Sequence, residues 1–397
     1  MLLCLFLLVS GLHALAQTQA PDPWEQGRVR IGPVAFTPNI VLKNLGWDSN
    51  VFSVAEDPKG DFTLTAGGLV NWWMRVAKMR LLGTASVDGV YYATYASERG
   101  VNQRYDLRAE YRFNRLRPYV LGSWASIKDR PGYEIEARAR HDEAAIGAGL
   151  DVRVTSKTHV DIAGHYATYR FAGDQVFAGS DLAETLNRKS TFGVATLRYS
   201  ATPLTTLTLL GEVGQDRFDE SPERDNNSFR IMPGVQFDPF ALVKGGARVG
   251  YRRLDMLSPV IPDFSGLVAD VDLSYVLLGR TRFSVGVNRD IQFSYDVTHP
   301  YYVLSGVTAS VRQGLGMGWD VEARGYSQRL AYRQVLGASD GATGPVDRVE
   351  SYGGGIGHRL SQGTRIGANI DYYRRRSAAY LYDYDALRYG LSATYEF

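Results

Sequence analysis

Arg104, Asp106, Arg108, Glu110 and Arg112 alternate with Tyr105, Leu107, Ala109, Tyr111 and Phe113. On an extended chain, side chains point to opposite faces at every second residue, so all five charges share one face and all five apolar groups share the other. The same spacing recurs at Arg282 and Asp290, at Asp320, Glu322 and Arg324, and at Arg365, Asp371, Tyr373 and Arg375. Rows of this kind facing confined water can brace one another or filter small solutes by charge. Arg with Tyr, as at Tyr373 and Arg375, could instead form a track for an acidic or neutral glycan. The guanidinium would bind carboxylates, and the ring would stack on sugar faces. The signs are mixed and the net field is therefore small, which makes mutual bracing the first reading and the glycan track the sharper hypothesis.

Catalytic chemistry has no such pattern. The chain contains no His-Glu-x-x-His, no P-loop and neither a Gly-x-Ser-x-Gly nor a Gly-x-Gly-x-x-Gly between a strand and a helix, so neither an enzyme nor a cofactor or metal site is expected. His141, His159, His165, His299 and His358 are scattered. His165 and Asp161 share a face, but at ~3.3 Å per residue their Cα atoms lie about 13 Å apart and form no dyad by themselves. Gly353-Gly354-Gly355 reads as a place for curvature or close packing.

The elements that carry these faces lie beyond an exported leader. Leu2 to Leu8 is an apolar run and Ala14-Leu15-Ala16 offers a small-x-small cleavage pattern, so residues 1–16 read as a signal peptide, although no Lys or Arg precedes the run. Cys4, the single cysteine, falls inside it, which leaves the mature chain without disulfides or cysteine-bound metal. No later stretch approaches the ~18 apolar residues of a membrane helix, and mean hydropathy is −0.20. Lys plus Arg at 44 nearly balances Asp plus Glu at 42, which argues against a nucleic-acid surface. Residues 17–35 read as a polar periplasmic lead-in in which Pro21-Asp22-Pro23 delays regular structure, and they are too short for an N-terminal plug domain.

From Phe36 onward, alternating segments recur about 18 times, with 16 as the alternative count. The expected strands lie near 36–47, 61–74, 80–96, 102–113, 117–129, 142–154, 159–171, 188–200, 205–218, 227–238, 243–256, 264–276, 281–295, 300–312, 318–334, 347–360, 364–377 and 384–397. The longest connectors, 48–60, 130–141, 172–187 and 335–346, all follow odd strands, whereas even ones such as Asn114-Arg115-Leu116 and Leu278-Gly279-Arg280 are tight. Odd connectors then face outward and even ones face the periplasm. In hydrocarbon every peptide group needs an internal partner, and a sheet supplies this only by closing. The sequence therefore predicts residues 36–397 as an all-β, antiparallel, up-and-down transmembrane barrel in a Gram-negative outer membrane. Aromatic clusters at Trp72-Trp73, Tyr91-Tyr92, Tyr301-Tyr302, Tyr372-Tyr373 and Tyr380-x-Tyr382 suit its headgroup girdles. An internal plug made from an extracellular loop is compatible with this plan, with 172–187 the best candidate by length.

Two motifs point further. The terminal Tyr395-Glu396-Phe397 is similar to the signal by which outer-membrane proteins are recognised for assembly, which implies the barrel assembly machinery as a partner. Pro38 followed by Gly46-Trp47-Asp48-Ser49-Asn50-Val51-Phe52 resembles the opening of the putative β-barrel porin 2 family, with Trp47 where that family usually has tyrosine. Members often accompany exopolysaccharide synthesis and export genes. The resemblance thus implies a passive conduit for a secreted glycan, with periplasmic polysaccharide export proteins and outer-membrane lipid as partners. A general small-solute diffusion porin is the alternative, and a barrel enzyme or adhesin a third class. Residue chemistry alone gives Asp48, Ser49 and Asn50 a simpler role, bonding local backbone to shape a turn.

Overall fold

Two-faced segments of this length satisfy their backbone only by pairing side to side, and the computed structural model shows that arrangement carried to closure. It describes residues 23–337, 343–377 and 382–397. The expected signal peptide, Pro21, Asp22, part of the 335–346 connector and Tyr380 lie outside the described residues. Among the described residues, 18 strands form one antiparallel ring. They are β1 (Val34–Asp48), β2 (Asp61–Val76), β3 (Met79–Tyr92), β4 (Gly100–Tyr111), β5 (Leu116–Asp129) and β6 (Ala139–Arg153). Next come β7 (Thr158–Phe171), β8 (Arg188–Thr202), β9 (Thr205–Phe218), β10 (Asn226–Phe237), β11 (Val243–Met256) and β12 (Phe264–Leu277). The ring is completed by β13 (Thr281–Phe293), β14 (Tyr301–Gly316), β15 (Trp319–Arg333), β16 (Thr343–Arg359), β17 (Thr364–Arg376) and β18 (Tyr384–Glu396).

Each strand pairs with the next, and β18 pairs with β1 from Asn39↔Glu396 to Asp48↔Arg388, leaving no edge for lipid to meet. Connectors after even strands are two to five residues long and those after odd strands run from seven to sixteen. The ring therefore has a turn end, where Val34 and Glu396 lie, and a loop end. At the turn end Leu278 and Gly279 adopt φ of 50° and 67°, the left-handed pair of a tight hairpin.

The apolar face of each strand points outward. Tyr105, Leu107, Tyr111, Ile146, Leu150 and Ile162 remain exposed, a face that belongs in hydrocarbon. Rings collect near its two limits: Trp47, Tyr91 and the stacked pair Tyr105 and Trp124 toward the loop end, and Tyr199, Trp319, Tyr395 and Phe397 toward the turn end.

Several sequence boundaries move. β1 begins at Val34 because a three-residue strand, Val29–Ile31, pairs with its first residues, and a short helix already forms over Pro23–Gln26. Proline suits a first helical turn, where its missing N–H has no partner to lose, so the lead-in carries regular structure sooner than its prolines suggest. β3 stops at Tyr92 rather than 96, since Ala96–Glu98 closes into a 3-10 turn. β6 starts at Ala139, which shortens its preceding loop to residues 130–138.

Candidate functional site

A barrel this wide would leave an open water-filled interior, yet its loop end is packed with chain. Loop 130–138 joins β5 to β6, and its contacts lie on β14, β15 and β17, about half the ring away. Gly132, at φ 72°, sits against the Tyr302 hydroxyl, and the Tyr133 ring meets Tyr326 edge-on at 5.8 Å. Only a segment crossing the lumen makes such contacts. At its centre the Glu134 carboxylate accepts hydrogen bonds from Ser294 Oγ at 2.6 Å and Tyr295 N at 3.3 Å. Arg375 on β17 donates to the Glu134 carbonyl at 2.7 Å, pairs with Asp347 at 2.6 Å and lies 3.6 Å from Glu136. Burial pushes the Glu134 carboxyl up to about 7, against the opposing pull of Ser294, Arg375 and the Tyr295 amide.

Loop 172–187 folds onto the first. Val176–Phe177 and Ser180–Asp181 form a small hairpin, and Asp181 caps the helix Leu182–Leu186 by accepting from Ala183 N at 2.8 Å. Leu182 and Leu186 pack with Ile135, Ala139 and Tyr295 in one buried cluster, and Phe177 meets the Tyr295 ring at 4.8 Å. Arg224, fully buried, donates to the carbonyls of Thr185, Ser294 and Asp296 and so ties three loops together. Together these loops form a plug. Its deepest acid comes from 130–138, whereas length alone had favoured 172–187.

The residues singled out by alternation are distributed along the wall. Toward the turn end, Glu110 is buried and pairs with Arg112 at 2.8 Å and Arg108 at 3.5 Å, while Arg104 and Asp106 are half-buried. Arg365 grips Asp320 through two bonds of 2.9 and 2.6 Å, and Glu322 pairs with Arg312. Arg282 is exposed and lies opposite Arg312 in register. Toward the loop end, Arg324 holds Asp371 through bonds of 2.9 and 2.6 Å, and Asp290 sits between Arg230 and Arg252 at 2.7 and 2.6 Å. Tyr373 carries the Arg388 guanidinium 4.6 Å above its ring. Tyr373 and Arg375 therefore make no joint track, because Arg375 is consumed by the plug.

His165 and Asp161 likewise stay apart: Asp161 accepts from the Tyr119 hydroxyl at 3.0 Å, and His165 faces Gly147 and Phe192 in register. His159 instead approaches Asp151 at 3.3 Å, but that carboxylate is also held by Arg117 and Arg198, each at 3.0 Å. This is a braced wall. Alternation missed Glu134, Arg224, Ser294 and Asp347 because they lie in loops or meet partners far along the chain. An acid flanked by Tyr133 and Ile135 inside a polar loop was the one available hint.

The opening motif closes the ring. Asp48 is buried, accepts from Asn50 N at 3.0 Å and pairs with Arg388 of β18 at 2.8 Å. The Asn50 side chain bonds the carbonyls of Val54 and Asp385 at 2.8 and 3.1 Å. A Cβ on Gly46 would stand 1.9 Å from the Tyr389 carbonyl oxygen, so the seam requires glycine there. Trp47 faces outward, half-exposed, Phe52 packs edge-on against Tyr95 at 4.8 Å, and the Pro38 carbonyl accepts from Phe397 N at 3.1 Å. The family described as "Putative beta-barrel porin 2" matches residues 22–397. The chain belongs to that family. Its porin 2 barrel is an outer-membrane protein. No curated protein matches the chain in sequence. Among solved structures it is similar to a BenF-like porin from Pseudomonas fluorescens, at 11% identity and TM-score 0.49, covering 91% of this chain and 98% of that one. It is also similar to OccAB3 from Acinetobacter baumannii, at 9% identity and TM-score 0.49, covering 91% and 99%. OpdK from Pseudomonas aeruginosa, solved with vanillate, shares 10% identity at TM-score 0.47, covering 91% and 98%.

Proposed function

We propose that this outer-membrane barrel is a passive channel through which an exopolysaccharide leaves the cell, closed at rest by its own loops. The observation that carries the channel reading is the plug: loop 130–138 crosses the lumen but is joined to the barrel only at β5 and β6, so it can withdraw without breaking the ring. A second feature supports a bulky cargo. Between the plug and the turn end, the face of β16 to β18 that carries Asp371 bears Gly353, Gly355, Gly357, Asn369, Gly390 and Ser392. A Cβ at Gly353 would stand 1.9 Å from Asp371 Oδ1, so glycine lets that wall lie flat. The glycan cargo itself rests on family membership, as do the periplasmic export proteins that would deliver it at the turn end. Tyr395 and Phe397 are proposed to serve the assembly machinery.

The alternative is a diffusion porin for small solutes, which the same plugged and charge-braced barrel fits as well. Bilayer conductance measured with oligosaccharides of graded size, together with secreted polysaccharide after gene deletion, separates the two. Loss of secreted polysaccharide supports export. Intact secretion with reduced small-solute uptake overturns it.

A further inference from the structure

The outer wall of β15 to β17 changes character just before the loop end. Asp347 and Arg375 point inward to the plug, so their chain neighbours Arg348, Arg374 and Arg376 point to the opposite side of the wall. Arg329 joins them, three positions beyond Tyr326, whose ring meets the plug. In register, Arg329 lies opposite Arg348, and Arg348 lies opposite Arg376. Adjacent strands are ~4.8 Å apart, and like charges placed directly opposite one another are destabilising. Three guanidiniums side by side therefore call for anions.

The protein supplies too few. Glu350 accepts from Arg374 Nε at 3.1 Å. Asp385 pairs with Arg376 at 2.9 Å and also accepts from the Tyr372 hydroxyl at 2.5 Å. Arg329 and Arg348 are exposed and make no hydrogen bond or ion pair among the described residues. Their depth is fixed by Trp319, a girdle residue of the turn end that lies on the same outward face of β15, ten positions before Arg329. At ~3.3 Å per residue and a tilt of roughly 40°, ten residues rise about 25 Å, the height of the apolar band. Arg329 thus reaches the opposite headgroup layer. Below the arginines, exposed Tyr352 and Tyr372 face each other across β16 and β17, and exposed Ile370, Ile356 and Ile366 follow. From these tyrosines to the turn end, the outward faces of the three strands carry no Lys, Arg, Asp or Glu.

We propose that Arg329 and Arg348 bind the phosphate of a lipid in the leaflet at the loop end. The planar guanidinium fork matches two phosphate oxygens at once, and the isoleucine wall beneath receives the acyl chains. A lipid headgroup uses both the charge and the wall, whereas a soluble anion would use the charge alone.

Native mass spectrometry of the purified barrel in nonionic detergent, titrated with lipid A and with lipid A stripped of both phosphates, tests the site. The expected result is saturable binding of lipid A, at least about tenfold tighter than the stripped lipid. In the double variant Arg329→Gln with Arg348→Gln it should weaken about thirtyfold, roughly fivefold for each arginine at a charged lipid surface. Lys189→Gln, which removes an exposed cation already paired with Asp219 at 2.7 Å, should change it by less than about twofold. Without lipid, the double variant should unfold at the same temperature as the parent or above it, because a like-charge contact has been removed. Equal binding of the two lipids, undiminished affinity in the double variant, or an equal loss in Lys189→Gln overturns the proposal. So does displacement of lipid A by equimolar inorganic phosphate, which would make this a site for a soluble anion. A lower unfolding temperature in the double variant would also overturn it, by showing that the arginines brace the protein itself.

Discussion

The two ends of the barrel share one strand rhythm and differ in what fills them. At the turn end the connectors are too short to reach inward, and pairs such as Arg312 with Glu322 stay partly in water, with 47% of the arginine side chain exposed. At the loop end Arg375 and Asp347 expose 3% and 4% of theirs, because loops from distant parts of the sequence cover them. The same pair of charges is therefore a minor brace at one end and a structural commitment at the other. Ion pairs in water are worth roughly 0–1 kcal/mol, whereas removing one partner of a buried pair costs about 3–5 kcal/mol.

Removing the plug should produce the largest change. Replacing residues 131–137 with a Gly-Ser linker of equal length should raise single-channel conductance severalfold, since the side chains of Tyr133, Glu134 and Glu136 occupy the crossing. Unchanged conductance would mean that the two ends do not differ functionally. Arg375→Ala comes next. It takes the guanidinium away from Asp347 and Glu136, leaving them Ser377 Oγ and Arg130, and frees the Glu134 carbonyl, so unfolding stability should fall by about 3 kcal/mol, with openings more frequent in bilayers.

Protonation offers a subtler handle. The docked Glu134 carboxyl titrates near 7, raised by burial from its ordinary 4.5, so the docked loop holds its proton more tightly than a released loop. Docking is then fully favoured below about 4.5 and loses that support as pH rises through about 7. Conductance should increase over this interval, and Glu134→Gln should flatten the profile. A profile that is flat in the wild type would remove Glu134 from the closure. The smallest effect is expected at the turn end: Arg312→Ala should change stability by no more than about 1 kcal/mol, read as a shift in unfolding temperature.

The difference between the ends also marks what the sequence could reveal. Alternation such as Arg104 to Phe113 dictates a strand and its faces whatever surrounds it, so 18 strands, their approximate spans and the parity of the connectors were legible. Trp72 and Trp73 show the limit, since neighbouring residues must face opposite sides: Trp72 pairs with Gly83 and Trp73 with Leu82, so only one of the two can serve a lipid girdle. The plug was not legible because its bonds join Glu134 to Ser294 and Arg375, 160 and 241 positions away, and no periodicity reports such encounters. Length identified 172–187 as a plug segment but could not show that 130–138 carries the central acid. Asp48 and Asn50 were read as turn formers, which they are. Their bonds to β18 became visible only once the ring had closed.

Cross-linking the plug to its opposite wall tests the account most directly. The mature chain should carry no cysteine of its own, so Tyr133→Cys with Tyr326→Cys can be bridged by a short bifunctional maleimide, the native rings there lying 5.8 Å apart. We expect the bridge to form in native membranes and to hold conductance low from acid to alkaline pH, while the unbridged double variant opens as pH rises. Failure of the bridge to form, or a bridged barrel that conducts as freely as the unbridged one, would contradict a loop that crosses and closes the lumen.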